Sequence, residues 1–352
     1  MKTVVREAVR RMSGYTPGEQ PTASGVIKLN TNENPYPPSP AVGRALAALD
    51  PARLRLYPDP VCSRLRKRIA ALHGCRDSQI FVGNGSDEVL ALCTRAFVER
   101  DGSIGYFDPS YSLYPVLADI LDVRKAPVDV GPDFGWRMPP DYRCSLFFLA
   151  NPNAPTGMLH PREEVEAFCR RMPGVVVIDE AYVDFARENC MDLALSMDNV
   201  LAARTLSKSF SLAGLRVGYI VGPEPLIAAL FKIKDSYNVD MLSQIVADAA
   251  LSDPDSMLAN VERIKATRRR VSEALAALGF KVYPSESNFI WTEPGACRAA
   301  DLFEHLKSVK ILIRYFPGPR TGNGLRVTMG ADADMDRFLQ AVQRYLEQGA
   351  GR

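Results

Sequence analysis

Between residues 79 and 233, short apolar runs alternate with helical patterns, and that alternation leaves few folds open. Each apolar run has the length of one buried strand. The predicted strands are Gln79–Val82, Ser103–Phe107, Ser145–Ala150, Gly174–Ile178, Leu201–Thr205 and Val217–Val221. The predicted helices between them are Asp87–Val98, Tyr111–Leu121, Arg162–Arg171 and Pro225–Ile233. Such βα units build an α/β fold, in which a mostly parallel sheet is covered by helices on both faces.

The pattern changes after about Met241, where a long helical stretch is predicted through Leu278. Short strands and helices follow it and indicate a smaller α+β unit. The strands are predicted near Lys281–Tyr283, Asn288–Thr292, Ile311–Arg314 and Gly324–Met329, and the helices at Ala299–Lys307 and Ala333–Gln348. We therefore predict a large α/β domain over residues 46–260 and a small C-terminal α+β domain over 261–352. An N-terminal arm, residues 1–45, is predicted to join the small domain.

Composition excludes several classes of protein. The 352 residues are 47% hydrophobic and 24% charged, which predicts a folded chain with a sizeable core. Because 43 basic residues nearly balance 41 acidic ones, no basic surface for nucleic acid is expected. No apolar run has the length of a membrane helix, and the first residues lack a secretory pattern. Seven scattered cysteines and three separated histidines predict neither disulfides nor a metal site. We expect a cytoplasmic enzyme.

Polar side chains follow the predicted strands at the edge where open parallel sheets bind their ligands. Asp179 closes the fourth strand, either as a helix cap or as the partner of a bound cation. Lys208 follows the fifth strand beside Ser207, and Arg216 comes shortly after them. A lysine buried near another cation has a lowered pKa and forms Schiff bases, although most lysines are surface residues. Ser207 and Arg216 could together bind a phosphate.

The segment Phe81–Glu88 runs from a strand through two glycines into the start of a helix. Backbone N–H groups at such a start bind phosphate, although an ordinary glycine turn with a helix cap gives the same residues. The segment is neither a dinucleotide fingerprint, which needs glycine in place of Glu88, nor a P-loop. A phosphate cradle, a carboxylate, an amine and an arginine together match the needs of one cofactor, pyridoxal phosphate.

These motifs resemble those of the fold-type I pyridoxal-phosphate aminotransferases, and most of all those of the histidinol-phosphate aminotransferases among them. The resemblance covers nearly the whole chain. It rests on Leu29–Tyr36, Tyr57–Asp59, Gly83–Glu88, Asn151–Gly157, Asp179–Tyr182, Ser207–Lys208, Gly214–Arg216 and Leu325–Thr328. The fold that it implies is that of aspartate aminotransferase, with a seven-stranded type of sheet in the large domain.

The resemblance also implies roles for single residues. Lys208 would bind the cofactor covalently and move the proton, while Asp179 would pair with the pyridinium nitrogen. Asn153 and Tyr182 would hydrogen-bond the 3′ oxygen of the ring, and Tyr111 would stack on its face. The phosphate ligands that it implies are Ser86, Asp87, Ser207, Arg216 and, from the second subunit of a homodimer, Tyr57.

For the substrates, Arg326 matches the arginine that binds the α-carboxylate of glutamate or 2-oxoglutarate. Arg314 fits a phosphate-binding arginine, although a surface arginine on an edge strand is the alternative. Tyr15 and Asn32 resemble residues that close over an imidazole group. The implied reaction is transamination between L-histidinol phosphate and 2-oxoglutarate, which gives imidazole acetol phosphate and L-glutamate.

Three other functions stay open at this point. An aromatic amino acid aminotransferase would use the same residues but would give Arg314 no partner. A threonine-phosphate decarboxylase would need a phosphate site and would release carbon dioxide without 2-oxoglutarate. A non-catalytic regulator usually carries an added DNA-binding domain and has no need of Lys208.

Overall fold

The computed structural model describes residues 4–22 and 24–349. Its strands are β1 (Ile27–Lys28), β2 (Ile80–Asn84), β3 (Ser103–Asp108), β4 (Arg124–Asp129), β5 (Leu146–Ala150), β6 (Val175–Asp179), β7 (Val200–Thr205), β8 (Val217–Val221), β9 (Lys281–Val282), β10 (Phe289–Glu293), β11 (Ile311–Leu312), β12 (Arg314–Tyr315) and β13 (Leu325–Thr328). Its α-helices are α1 (Glu7–Arg11), α2 (Pro40–Ala47), α3 (Ser63–His73), α4 (Gly85–Phe97), α5 (Leu113–Leu121), α6 (Arg162–Arg171), α7 (Met191–Ser196), α8 (Glu224–Ile233), α9 (Met241–Leu251), α10 (Pro254–Ala277), α11 (Ala299–Ser308) and α12 (Asp332–Gly349).

The large sheet has seven strands in the order β2-β8-β7-β6-β5-β3-β4. All neighbours are parallel except β8, which runs antiparallel to both β2 and β7. The six strands predicted for this sheet are present within two residues of their predicted ends. The α/β fold class with a mostly parallel, seven-stranded sheet is therefore confirmed.

Both faces of the sheet are buried, as the apolar strands predict. In β5, Leu146 and Phe148 pack into a core with residues of α4, α5 and α8. The alternate residues Phe147 and Leu149 enter the core on the other face, where α3, α6, α7 and α9 contribute. Successive strand residues point to opposite faces, so a strand covered on both sides has apolar side chains at every position.

β4 is a strand that the apolar pattern did not predict. Arg124 and Lys125 are exposed, and Pro127 lies within the strand, so the segment lacks the continuous apolar run of its neighbours. Its place explains this, because β4 is at the edge of the sheet and, within the described ranges 4–22 and 24–349, pairs only with β3. Edge strands tolerate charge and proline, since one side of the backbone needs no partner strand.

The long helix predicted from Met241 to Leu278 is divided into α9 and α10. Pro254 occupies the first turn of α10, where its missing N–H costs nothing, and the side chain of Asp253 accepts a hydrogen bond from Ser256 N at 3.4 Å. The strand predicted over residues 311–314 is also divided, because β11 pairs with β1 and β12 pairs with β13.

The C-terminal part has its own antiparallel sheet, β12-β13-β10-β9, packed against α10, α11 and α12. The parallel pairing of β1 with β11 attaches the N-terminal segment to this part of the molecule. In the described residues, no helix combines the length and the apolar character that crossing a membrane requires.

Candidate active site

A cavity of about 1110 Å³, which includes its opening to solvent, lies at the carboxyl ends of β5, β6 and β7. The last residues of these strands, Ala150, Asp179 and Thr205, all line it. The predicted site residues in its wall are Tyr15, Asn32, Ser86, Asp87, Tyr111, Asp179, Tyr182, Ser207, Lys208, Arg216, Arg314 and Arg326. The cavity therefore brings together the N-terminal arm, the large sheet and strands β12 and β13.

Lys208 lies in the turn that follows β7, and its half-buried side chain lines the cavity. Nζ donates to the carbonyl oxygen of Thr31 at 3.3 Å and lies 5.8 Å from the centre of the Tyr182 ring. Burial, and next the positive charge of Arg326, lower the pKa of Lys208 from 10.5 to about 8. A considerable fraction of the amine is thus neutral near physiological pH, which is the state that a nucleophile or a base needs.

Asp179 is the last residue of β6, and only 6% of its surface is exposed. Its carboxylate accepts hydrogen bonds from the Tyr114 hydroxyl at 2.8 Å and from Ala181 N at 3.1 Å. No basic side chain of the described residues forms an ion pair with it, and burial raises its pKa from 3.8 to about 6. A buried carboxylate without a cationic partner fits a cation bound in the cavity.

The start of α4 forms a cradle for an anion. Gly85 has φ +82°, and a Cβ there would lie 2.5 Å from Nη2 of Arg216. Arg216 donates from Nη1 to Ser207 Oγ at 3.4 Å and from Nη2 to Asp87 Oδ2 at 3.3 Å. The guanidinium thus lies against the first N–H groups of a 13-residue helix, where the helix dipole also favours negative charge.

Two tyrosines, Tyr15 and Tyr111, line the same cavity as the cradle. The Tyr111 hydroxyl donates to Asp87 Oδ1 at 3.1 Å, which holds the ring over the start of α4. Tyr15 meets the Tyr111 ring edge to face, with 5.9 Å between the ring centres. The N-terminal arm thereby contributes an aromatic side chain to the mouth of the cavity.

Arg314 and Arg326 are direct partners across the β12–β13 pair, and both line the cavity. Arg326 Nη2 donates to Asn30 O at 2.8 Å, while its buried Nε has no hydrogen-bond partner in the described part of the chain. Arg314 donates to two carbonyl oxygens of the arm, Thr16 O at 3.0 Å and Pro17 O at 3.2 Å. Within the described chain neither arginine forms an ion pair, and like charges opposite each other in a sheet repel. This pair therefore favours the binding of anions.

Asn32 holds the phenol of Tyr182 in place. Its Nδ2 donates to the Tyr182 hydroxyl oxygen at 2.9 Å, and its Oδ1 accepts from Thr328 Oγ1 at 2.9 Å. Asn32 is buried and has φ 55°, a left-handed conformation that asparagine tolerates better than most residues. Asn32 therefore orients a ring that faces Lys208.

Two predicted residues do not line the cavity. The amide of Asn153 is held within the loops, where Nδ2 donates to Pro109 O at 3.0 Å and Oδ1 accepts from Ser110 Oγ at 2.7 Å. Its neighbour Ala154 lines the cavity in its place. Tyr57 is 78% exposed and stacks on Tyr237, with 4.4 Å between the ring centres.

The structure adds residues that the sequence reasoning missed. Tyr114 donates to Asp179 from inside a predicted helix, where its position in an apolar stretch suggested only core packing. Thr31 accepts from Lys208 through its backbone carbonyl, a group that side-chain patterns do not reveal. The centre of the Phe316 ring lies 5.3 Å from Cζ of Arg314 and 5.4 Å from Cζ of Arg326. No sequence signal indicated Phe316.

Known proteins match this chain over most of its length. The sequence profile described as Aminotransferase class I and II matches residues 24–342. Histidinol-phosphate aminotransferase from Synechocystis sp. is 43% identical over 341 residues, which cover 96% of this chain and 97% of that protein. Histidinol-phosphate aminotransferase 1 from Burkholderia pseudomallei is 43% identical over 351 residues, with 97% and 98% coverage.

Solved structures of known proteins share the fold of this chain. Histidinol-phosphate aminotransferase from Sinorhizobium meliloti, in complex with pyridoxal-5'-phosphate, has a TM-score of 0.83 and 26% identity and covers 92% of this chain and 91% of its own. L-Threonine-O-3-phosphate decarboxylase from Porphyromonas gingivalis shares the fold, with a TM-score of 0.80, 23% identity, and coverage of 92% and 100%. This chain belongs to the class I and II aminotransferase family, as its motifs predict.

Proposed function

We propose that this chain transfers an amino group between L-histidinol phosphate and 2-oxoglutarate, with pyridoxal 5′-phosphate as its cofactor. The observation that carries the proposal is the pair Arg314 and Arg326, which face one cavity with Lys208 and Asp179 and have no anionic partner in the described chain. The names of the relatives that are 43% identical support the same substrate. They give no support to an aromatic aminotransferase or to a threonine-phosphate decarboxylase.

The residues present fit pyridoxal phosphate. The cradle of Gly85, Ser86 and Arg216 would hold its phosphate, and the buried carboxylate of Asp179 would hold its ring nitrogen. When bound, this cofactor supplies an aldehyde for an amine and a ring that accepts electrons from the substrate carbon. Lys208 is the amine that the cavity offers.

Lys208 also moves the proton in this proposal. Its lowered pKa leaves Nζ able to accept a proton from the substrate carbon and to return it. Asn32 and Tyr182 would keep a hydroxyl group beside the amine, and the arm would cover the cavity through Tyr15 and exclude water. Tyr111 would pack against the ring, and Ser207 and Asp87 would complete the cradle.

Each of the two arginines would bind a different anionic group of the substrates. The free Nε of Arg326 makes it the better ligand for the α-carboxylate of glutamate, because guanidinium and carboxylate form paired hydrogen bonds. Arg314, which donates to Thr16 O and Pro17 O, would bind the phosphate of histidinol phosphate, which has no carboxylate.

We expect Arg314→Gln to raise the KM for histidinol phosphate roughly 30- to 150-fold, because charged hydrogen bonds contribute about 2–3 kcal/mol. The KM for glutamate should change by less than about threefold. Arg326→Gln is the matched control, since it removes the neighbouring guanidinium and should show the opposite preference. Half-reactions with each amino donor measure both constants.

An equal rise in the KM for histidinol phosphate and for glutamate in Arg314→Gln would contradict the assignment of Arg314 to the phosphate. The substrate itself is tested with the unaltered enzyme, by half-reactions with histidinol phosphate, phenylalanine, tyrosine and threonine phosphate. Preference for an aromatic amino acid, or carbon dioxide release from threonine phosphate, would replace the proposed function.

We also propose a homodimer in which Tyr57 reaches the phosphate cradle of the partner subunit. Tyr57 is exposed in the single chain and lies beside exposed Leu54 and Leu56, which is typical of a surface that another subunit covers. We expect sedimentation to give twice the chain mass of 38.8 kDa. Tyr57→Phe should weaken cofactor retention roughly fivefold by removing one hydrogen bond. A monomer with full activity would contradict this proposal.

The domain limits 1–45, 46–260 and 261–352 stay a proposal, which the separate core around α10, α11 and α12 supports. A cytoplasmic location is likewise proposed, and the seven cysteines, all free, are consistent with a reducing compartment.

A further inference from the structure

Behind the cavity wall, a set of buried and half-buried polar side chains joins the segment that carries Asp179 to the turn that carries Lys208. We call it the Glu180–Ser209 network, and its members are Glu180, Arg204, Asp184 and Ser209. None of the four lines the cavity. A direct contact with a ligand therefore does not explain them.

The first half of the network begins next to Asp179. Glu180 follows it in the chain, and its side chain is 1% exposed. Glu180 Oε2 accepts from Arg204 Nε at 2.8 Å, and Oε1 accepts from Cys190 N at 2.6 Å. The backbone N of Glu180 donates to Ala203 O at 2.8 Å. The end of β6 is thus tied to β7 through both the backbone and a buried ion pair.

The second half leads to Lys208. Arg204 Nη1 lies 4.0 Å from Asp184 Oδ1, and Asp184 Oδ2 accepts a short hydrogen bond from Ser209 Oγ. Ser209 is 1% exposed and directly follows Lys208. One guanidinium therefore connects two carboxylates, and the second of these holds the residue next to the amine.

The arm holds the same turn from another side. Asn34 Nδ2 donates to Lys208 O at 3.2 Å and to Ser209 O at 3.0 Å. Both the backbone carbonyls and the Ser209 side chain of the turn are thus hydrogen-bonded. A satisfied buried network makes its surroundings rigid, although burying the charges is itself costly and gives little net stability.

We propose that the Glu180–Ser209 network sets the position of the Lys208 amine relative to the Asp179 carboxylate. Arg204, Asp184 and Ser209 are then positioning residues, which act through Lys208 and not on the substrate. The inference rests on the proposed function, because it takes Asp179 and Lys208 to act on one bound group. Small displacements of catalytic groups are sufficient to lower rates, since the reacting atoms need near-contact geometry.

The test compares Ser209→Ala with Ser103→Ala in the 352-residue chain. Ser103 is a matched control because it is also buried, accepts a hydrogen bond from Arg124 Nη2 at 3.1 Å, and lies at the opposite end of the sheet. Two quantities are measured besides thermal stability. The first is the pH dependence of Lys208 labelling by an amine-reactive reagent in the cofactor-free protein, and the second is kcat and KM with glutamate.

For Ser209→Ala we expect the midpoint of Lys208 labelling to rise by about one pH unit, because a relaxed turn exposes the amine to water. The kcat should fall roughly tenfold with little change in KM, since the substrate ligands are intact. Ser103→Ala should lower the Tm to a similar extent while the labelling midpoint and kcat keep their original values. Asp184→Asn should change both quantities in the same direction as Ser209→Ala.

The inference is overturned if Ser209→Ala and Asp184→Asn lower only the Tm, as Ser103→Ala does. The labelling comparison uses neither cofactor nor substrate. It therefore decides the matter even if the unaltered protein prefers another amino donor, which would contradict the proposed function alone.

Discussion

Lys208→Ala is expected to abolish transamination and the visible absorbance that depends on the covalent link between this lysine and the cofactor. Among the residues that the structure describes, the cavity wall offers no second lysine, so a loss of turnover of at least about 10³-fold is expected. The phosphate cradle is unchanged, and the variant should therefore still bind the cofactor without a covalent link. Absorbance spectra and single-turnover rates measure these effects. Lys265→Ala is the control, because Lys265 forms a surface ion pair with Glu262 on α10.

The same lysine should also limit the stability of the cofactor-free protein. Its pKa is about 8 in the folded state and 10.5 in a free side chain, so below pH 8 the folded protein buries a charge. Lys208→Met should therefore increase the free energy of unfolding at pH 7 by about 3 kcal/mol. The gain should disappear as the pH rises from 8 to 10.5, where the folded protein binds fewer protons than the unfolded chain.

An unchanged absorbance spectrum in Lys208→Ala would contradict the cofactor assignment.

Asp179→Asn is expected to reduce kcat by roughly 10²- to 10³-fold, the size of effect seen when one preorganised electrostatic group is removed. The amide keeps the shape of the carboxylate but has no charge for a ring nitrogen. The arginines proposed to bind the substrates lie on other strands, so KM for glutamate should change little. Steady-state kinetics check this, and a kcat within threefold of the original would remove Asp179 from its role.

Lowering the pH should remove the charge of Asp179, as the Asp179→Asn substitution does. Burial raises the pKa of Asp179 to about 6 in the cofactor-free protein, so the carboxyl becomes neutral as the pH falls through 6. Cofactor affinity should then decrease between pH 7 and 5 in the original protein, beyond the decrease shown by Asp179→Asn. The variant serves as the reference, because any titration of the cofactor itself affects both proteins alike.

The α/β architecture was predictable because strand and helix periods are local properties of the chain. The fully apolar β5 and β6 need cover on both faces, which implies a parallel sheet with helices on each side. β4 was not predictable in this way, since an edge strand with Arg124, Lys125 and Pro127 has no periodic signal. The division of β11 from β12 depends on two different partner strands, which lie outside any local window.

The predicted site residues were found through their place after strands and through family motifs. Most of them line one cavity, because the ends of parallel strands meet at one edge of the sheet. The roles of Asn153 and Tyr57 stay predictions. The loop directs the amide of Asn153 to Pro109 and Ser110, and Ala154 lies at the cavity. The predicted role of Tyr57 needs a second subunit.

Residue identity and order were thus sufficient for the fold class, the family and the strand ends that carry the amine and the carboxylate. The electrostatic character of the site depends on packing. Lys208 has a lowered pKa because it is buried near Arg326, which comes from a strand more than a hundred residues later. Burial and the approach of distant charges arise only when the strands and the arm pack together, so no local pattern contains them.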